Sequence, residues 1–383
     1  MKFSKNIILV ILAGFFFFYS YHAFLILPIR VLSLGGTEFD IGLVMSMAGI
    51  STLLLTPISG ILGDKYNKKY LLAFGALVLS ATNLCFMLFD SIYISYLVLR
   101  FFQGCAFSFF FVSAGTLIAE KTDKRNQTQA LGFFGIFAIL NHALAPTISV
   151  HIINAFSYDY FFIMASIAAV FSLIITLFID SEKSTDSKST ADEGFFNILK
   201  NSSLKLICLI MFLVGGSFLT CLNFTAVFTK SLGLSPITIF FISYTSIALI
   251  MRIFFGWLPD KYGQVTFCKP ALLVYGISIS ILAFSTSFLN IIIAGSLFGL
   301  SHALVYPSIY TLALKVVNET NKSKAFSICS VSFTSGGMIF SVIYGLIAET
   351  FSFRVMFLSC SIIVTLGFYY FIKLLEKELK NDS

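Results

Sequence analysis

Eight side chains in this 383-residue chain place polar chemistry inside otherwise apolar stretches: His22, Arg100, Gln103, Asn141, His142, Asn223, His302 and Tyr306. A guanidinium offers a planar fork to a carboxylate or phosphate, and an imidazole titrates near neutrality. Arg100, Gln103 and Gly104 fall at i, i+3 and i+4, so a helix puts them on one face. His302, Tyr306 and Tyr310 recur every four residues, and Pro307 among them frees a carbonyl and allows a bend. Tyr19 and His22 form a smaller i, i+3 pair. All 18 Asp and Glu residues lie in loops, tails or helix ends, leaving no embedded carboxylate to answer Arg100. Arginine and histidine without a counter-charge favour an anion, or a zwitterion with a carboxylate. If protons are coupled to such a solute, histidine must do the titrating.

The elements that hold these residues must be membrane spans. The sequence is 58% hydrophobic and 11% charged, with a mean hydropathy of +0.94. That excludes a water-soluble enzyme, and the 16% aromatic content excludes a disordered chain. Apolar windows predict twelve helices, near 6–30, 40–62, 70–89, 92–118, 128–152 and 159–179, then 204–228, 236–258, 268–288, 290–314, 325–347 and 353–373. At these depths ionisable and polar groups are costly, which marks the eight residues as candidates for substrate contact or coupling. The phenylalanine runs 15–18 and 109–111 read as lipid-facing. The seven cysteines are widely spaced within or beside apolar runs and read as small core residues. There is no metal-ligand cluster and no nucleotide-binding or hydrolase signature, so neither a cofactor, a metal nor an enzymatic activity is expected.

Twenty of the 25 Lys and Arg residues fall on one side if the N-terminus is cytoplasmic, which sets the orientation with both termini inside. Loop charge of this kind accounts for the net +7 without a nucleic-acid partner. The polar stretch 180–203 divides the chain into a six-helix bundle at 1–179 and another at 204–383, with 195–199 lying along the membrane surface. The two halves answer each other in order. SLGG at Ser33 is paired with SLGL at Ser231, GILGDKY at Gly60 with GWLPDKYG at Gly256, and Gly104 with Gly299. In the first copy, Gly60 would permit close helix packing, Asp64 would accept hydrogen bonds at a helix end, and Lys65, Lys68 and Lys69 would meet the membrane surface. That makes the loop a conformational latch, with Gly256, Asp260 and Lys261 as its counterpart in the second half.

GILGDKYNKK from Gly60 to Lys69 resembles the loop signature G-x-L-x-D-[RK]-x-G-[RK]-[RK] of the major facilitator superfamily, and Arg100 to Gly104 resembles the R-x-x-Q-G element of its drug-efflux members. The resemblance implies an all-α fold of two six-helix repeats around a central cavity lined by helices one, four, seven and ten. It also implies alternating access by a secondary transporter of a small organic solute, as a monomer in a bacterial inner membrane. Protons are the candidate coupling ion. Export is favoured over uptake; an uptake permease and a transport-inactive sensor on the same fold are the alternatives. Two positions depart from the family pattern. Asn67 replaces the loop glycine and is expected to tolerate positive φ there, and Asn141 to Pro146 carries Ala145 where the antiporter signature has glycine.

Overall fold

The computed structural model describes residues 4–91, 94–123, 127–180, 198, 200–318 and 321–381. Most of the polar stretch at 180–203, including nearly all of 195–199, lies outside the described residues, so its expected position at the membrane surface is not addressed. The described chain is helical throughout, in the order α1 Lys5–His22, a 3-10 turn Ala23–Ile26, α2 Leu27–Ser33, α3 Glu38–Lys65, α4 Lys68–Cys85, α5 Ile94–Lys121, α6 Gln127–Ala155 and α7 Tyr158–Leu177. There follow α8 Ser202–Ser231, α9 Ile239–Phe255, α10 Leu258–Tyr262, α11 Gln264–Ala283, α12 Phe288–Lys315, α13 Lys322–Thr350 and α14 Phe353–Asn381. Eleven of the described helical spans are long and apolar enough to cross a bilayer. The apolar helix α9 is shorter, at 17 residues. The expected helix 236–258 ends early because Gly256 and Trp257 break it, and Pro259 then opens the separate short helix α10.

Local sequence explains the main breaks. Pro28 has no N–H to give the Phe24 carbonyl, and Leu27 donates to that oxygen instead, in 3-10 register. The first span is therefore two helices hinged just after His22. Side-chain caps open α4, α8 and α12 through Asn67, Asn201 and Ser287. Asn67 has φ −64°, so the expected positive φ is absent: its side chain accepts the Lys69 N–H at 2.9 Å, and an N-cap serves where the family has a glycine turn.

The chain separates into two compact units, one of residues 1–36 and 47–188, the other of residues 37–46 and 189–383. In the first unit α1 packs against α4, α5, α6 and α7. Its core is aromatic: Phe17 stacks on Phe110 at 3.9 Å, and Phe18 lies 5.0 Å from Phe134. Phe17, Phe18 and Phe110 are buried, as is Phe109 more loosely, so the expectation that these runs face lipid fails except for residues such as Phe111. Four successive residues turn through a full helical circle and cannot share one face.

Each unit contains a close helix crossing on a glycine. A Cβ on Gly104 of α5 would collide with the Ala48 carbonyl of α3, and one on Gly299 of α12 with the Tyr244 carbonyl of α9. Gly60 behaves differently. Nothing lies within 4 Å of its Cβ position, so the close packing expected there is absent.

Candidate functional site

The polar residues of the first unit form a connected chain. Arg100 donates to Gln103 Oε1 at 2.7 Å, Gln103 Nε2 to Asn83 Oδ1 at 2.7 Å, Asn83 Nδ2 to Ser20 Oγ at 2.9 Å, and Ser20 Oγ to the Ala165 carbonyl at 2.7 Å. Four helices, α5, α4, α1 and α7, are joined by it, and all four side chains are buried. The chain is directional, because every acceptor is itself a donor to the next group, ending on a backbone oxygen. Such a network holds the guanidinium in one place. Arg100 takes part in none of the ion pairs among the described residues, and its Nε is buried without a hydrogen-bond partner. Its other neighbour is the Tyr21 ring, 5.8 Å away. A buried cation so placed is under-compensated, and an arriving carboxylate would relieve it.

Tyr21 also touches His22, ring to ring at 5.7 Å. His22 faces His142 of α6 with ring centroids 4.2 Å apart. Asn141, next in sequence to His142, turns away and donates to the Phe15 and Phe137 carbonyls at 3.0 and 2.9 Å. Its role there is to tie α6 to α1. The expected pairing of Tyr19 with His22 does not form, because Tyr19 reaches Met164 Sδ at 2.8 Å on α7.

In the second unit the ladder on α12 is present. His302 lies 5.3 Å from Tyr306, Tyr306 4.9 Å from Tyr310, and the Tyr310 hydroxyl meets Ser330 Oγ of α13 at 3.0 Å. His302 also stacks on Phe218 of α8 at 4.2 Å. Asn223 is not part of this cluster: it donates to Ser341 Oγ at 2.9 Å and links α8 to α13.

The two loop copies differ. In the first, Lys68 is buried and pairs with Glu120 at the end of α5 at 2.9 Å, while Lys69 Nζ caps the Leu177 carbonyl of α7 at 2.6 Å. Neither lysine is free for lipid headgroups, which corrects that expectation; Lys65 and Asp64 are exposed. In the second copy, Gln264 donates to Asp260 at 3.1 Å and accepts from Lys315, at the end of α12, at 2.7 Å. Lys261 lies over the Trp257 and Tyr262 rings at 5.4 and 5.2 Å. The loop-to-helix clamp thus recurs with the cation moved from the loop to the long helix.

Asn83, Ser20 and Tyr21 were not singled out in the sequence. Asn83 carried the same signal as Asn223, an amide inside an apolar span, but it sits on the third helix, which the family resemblance leaves off the cavity. Ser20 and Tyr21 carry no sequence signal that separates them from ordinary span residues.

A family model described as Major Facilitator Superfamily matches residues 8–271 and 243–383, together nearly the entire chain. Among curated proteins, the chain is 24% identical to the staphylopine export protein of Staphylococcus aureus over 366 residues, covering 91% of this chain and 90% of that one. It is 26% identical to the multi-drug resistance efflux pump PmrA of Streptococcus pneumoniae over 351 residues, covering 88% of each. The solved structure of the nucleoside transporter NupG superposes with a TM-score of 0.81 at 13% identity, covering 97% of this chain and 99% of the other.

Proposed function

The chain belongs to the Major Facilitator Superfamily, and on that premise we propose that it is a secondary transporter exporting a small organic solute with a carboxylate, anionic or zwitterionic, by alternating access. The observation that carries the solute class is Arg100: a buried guanidinium, steered by Gln103 and Asn83, with no acid paired to it among the described residues. Export is supported by relatives named as export and efflux proteins. In this reading α9 completes a set of twelve spans, two six-helix repeats at 1–179 and 204–383 are joined by the segment 180–203, and both termini face the cytoplasm of a bacterial inner membrane. Asp64 with Lys68 and Asp260 with Lys261 serve conformational change, while Arg100, Gln103, His22 and His142 serve solute and coupling.

The solute class is tested by binding to the purified protein in detergent. A panel of small carboxylates, amino-acid zwitterions and organic cations is screened for thermal stabilisation. Carboxylate-bearing members should stabilise wild type and lose that effect in R100Q. Stabilisation confined to cations would overturn the assignment.

A further inference from the structure

The proposed transport reading leaves open what drives the cycle, and the first unit holds one feature that answers it. His22 and His142 are in ring contact at 4.2 Å inside the helix bundle. His22 is buried, and its Nδ1 is buried with no hydrogen-bond partner. A neutral imidazole carries one donor and one acceptor nitrogen. His142 is half-buried. The pair sits at the point where the first span breaks from α-helix to 3-10 turn, so a charge placed there acts on a hinge.

Resting on that transport reading, we infer that His22 and His142 together form a coupling site that takes up one proton, shared between the two rings, in each cycle. Two protonated rings at this separation repel each other inside the helix bundle, so the second proton is excluded. Arg100 of α5 adds a second cation across the Tyr21 ring. Asp159, Tyr158 and Tyr160 lie in the first turn of α7, Lys68 and Lys69 in the first turn of α4, and Glu120 and Lys121 in the last turn of α5, all at helix ends. His151 of α6 is more than two turns from His142 along that helix. A carboxylate on Arg100 would therefore favour proton uptake by the pair, whereas an ammonium group at the pair would oppose it. For export against an entering proton, the solute's positive end must occupy the pair, which makes a zwitterion the fitting cargo.

The test needs no solute. Net proton uptake between pH 8 and pH 5 is titrated for wild type and for the H22Q/H142Q double variant, in detergent. Wild type should take up one proton more. A difference of two would show independent histidines and a difference of zero an inert pair, and either overturns the proposal. Isotope-edited imidazole NMR of wild type covers the case in which the double variant does not fold: two of the four histidines should share a single titration step, and separate steps would contradict the site. In R100Q that step should move to higher pH, because removing a nearby cation favours the protonated pair. A downward or absent shift would remove Arg100 from the linkage. A solute-binding failure with an intact one-proton step would sink the solute assignment alone, and the reverse outcome would sink only the coupling site.

Discussion

Arg100 distinguishes ligand contact from structural support, because the two roles respond differently to the same replacements. As a ligand to a carboxylate, Arg100→Lys keeps charge but loses the fork, and Arg100→Gln loses both. A charge-assisted hydrogen bond is worth about 1.5 to 3 kcal/mol, so affinity should fall at least about tenfold in R100Q and less in R100K. Asn83 adds a second-order prediction. Asn83→Leu leaves the Gln103 amide unpaired in the interior, so melting temperature should drop and Arg100-dependent binding weaken with it. A drop in stability with unchanged affinity, measured on the same purified variant, would show the amide chain to be structural only. The sequence made Arg100 and Gln103 legible as a pair, since i, i+3 spacing and an embedded charge are local signals. It did not reveal that Gln103 passes the bond to Asn83, because a partner 20 residues away on another helix leaves no periodicity.

At the scale of elements, the glycine crossings and the loop clamps make opposite predictions. Gly104→Ala drives a methyl into the Ala48 carbonyl and should cost about 1 to 3 kcal/mol, read as a lowered thermal midpoint. Gly60→Ala meets open space, so stability should hold or rise by up to about 1 kcal/mol from helix propensity. If Gly60 serves the transport cycle, flux falls in that variant while the midpoint does not. In the clamps, Asp64→Asn should slow flux while leaving solute affinity nearly intact. Asp260→Asn should be milder, because an asparagine carbonyl still accepts from Gln264, which Lys315 also holds. Parallel flux and binding assays decide both; equal loss of binding and flux at Asp64, or a larger loss at Asp260, would reverse the ranking. The apolar windows made most helix bounds readable to within a few residues, but 268–288 overshoots the end of α11 at Ala283 and 353–373 stops short of the end of α14 at Asn381. What they hid was the environment of charges at helix ends: Lys68 looks like a headgroup anchor in sequence, and only the approach of α5 reveals Glu120 as its partner.

For the whole molecule, composition alone excluded a soluble protein, and the loop motif with R-x-x-Q-G pointed to the superfamily that the family model then matched across the chain. The loop motif is legible because it serves a turn and a helix end, and R-x-x-Q-G because a charge inside an apolar span is a local signal. The most direct measurement of the central claim is counterflow in proteoliposomes of purified protein, with and without a pH gradient that is acid on the side to which the solute is exported. Labelled zwitterions and carboxylates are the solutes, and wild type is compared with R100Q. Saturable flux in wild type, accelerated by the gradient and lost in R100Q at equal reconstituted protein, is the expected result; binding without flux under any gradient would contradict it and leave a sensor on a transporter fold.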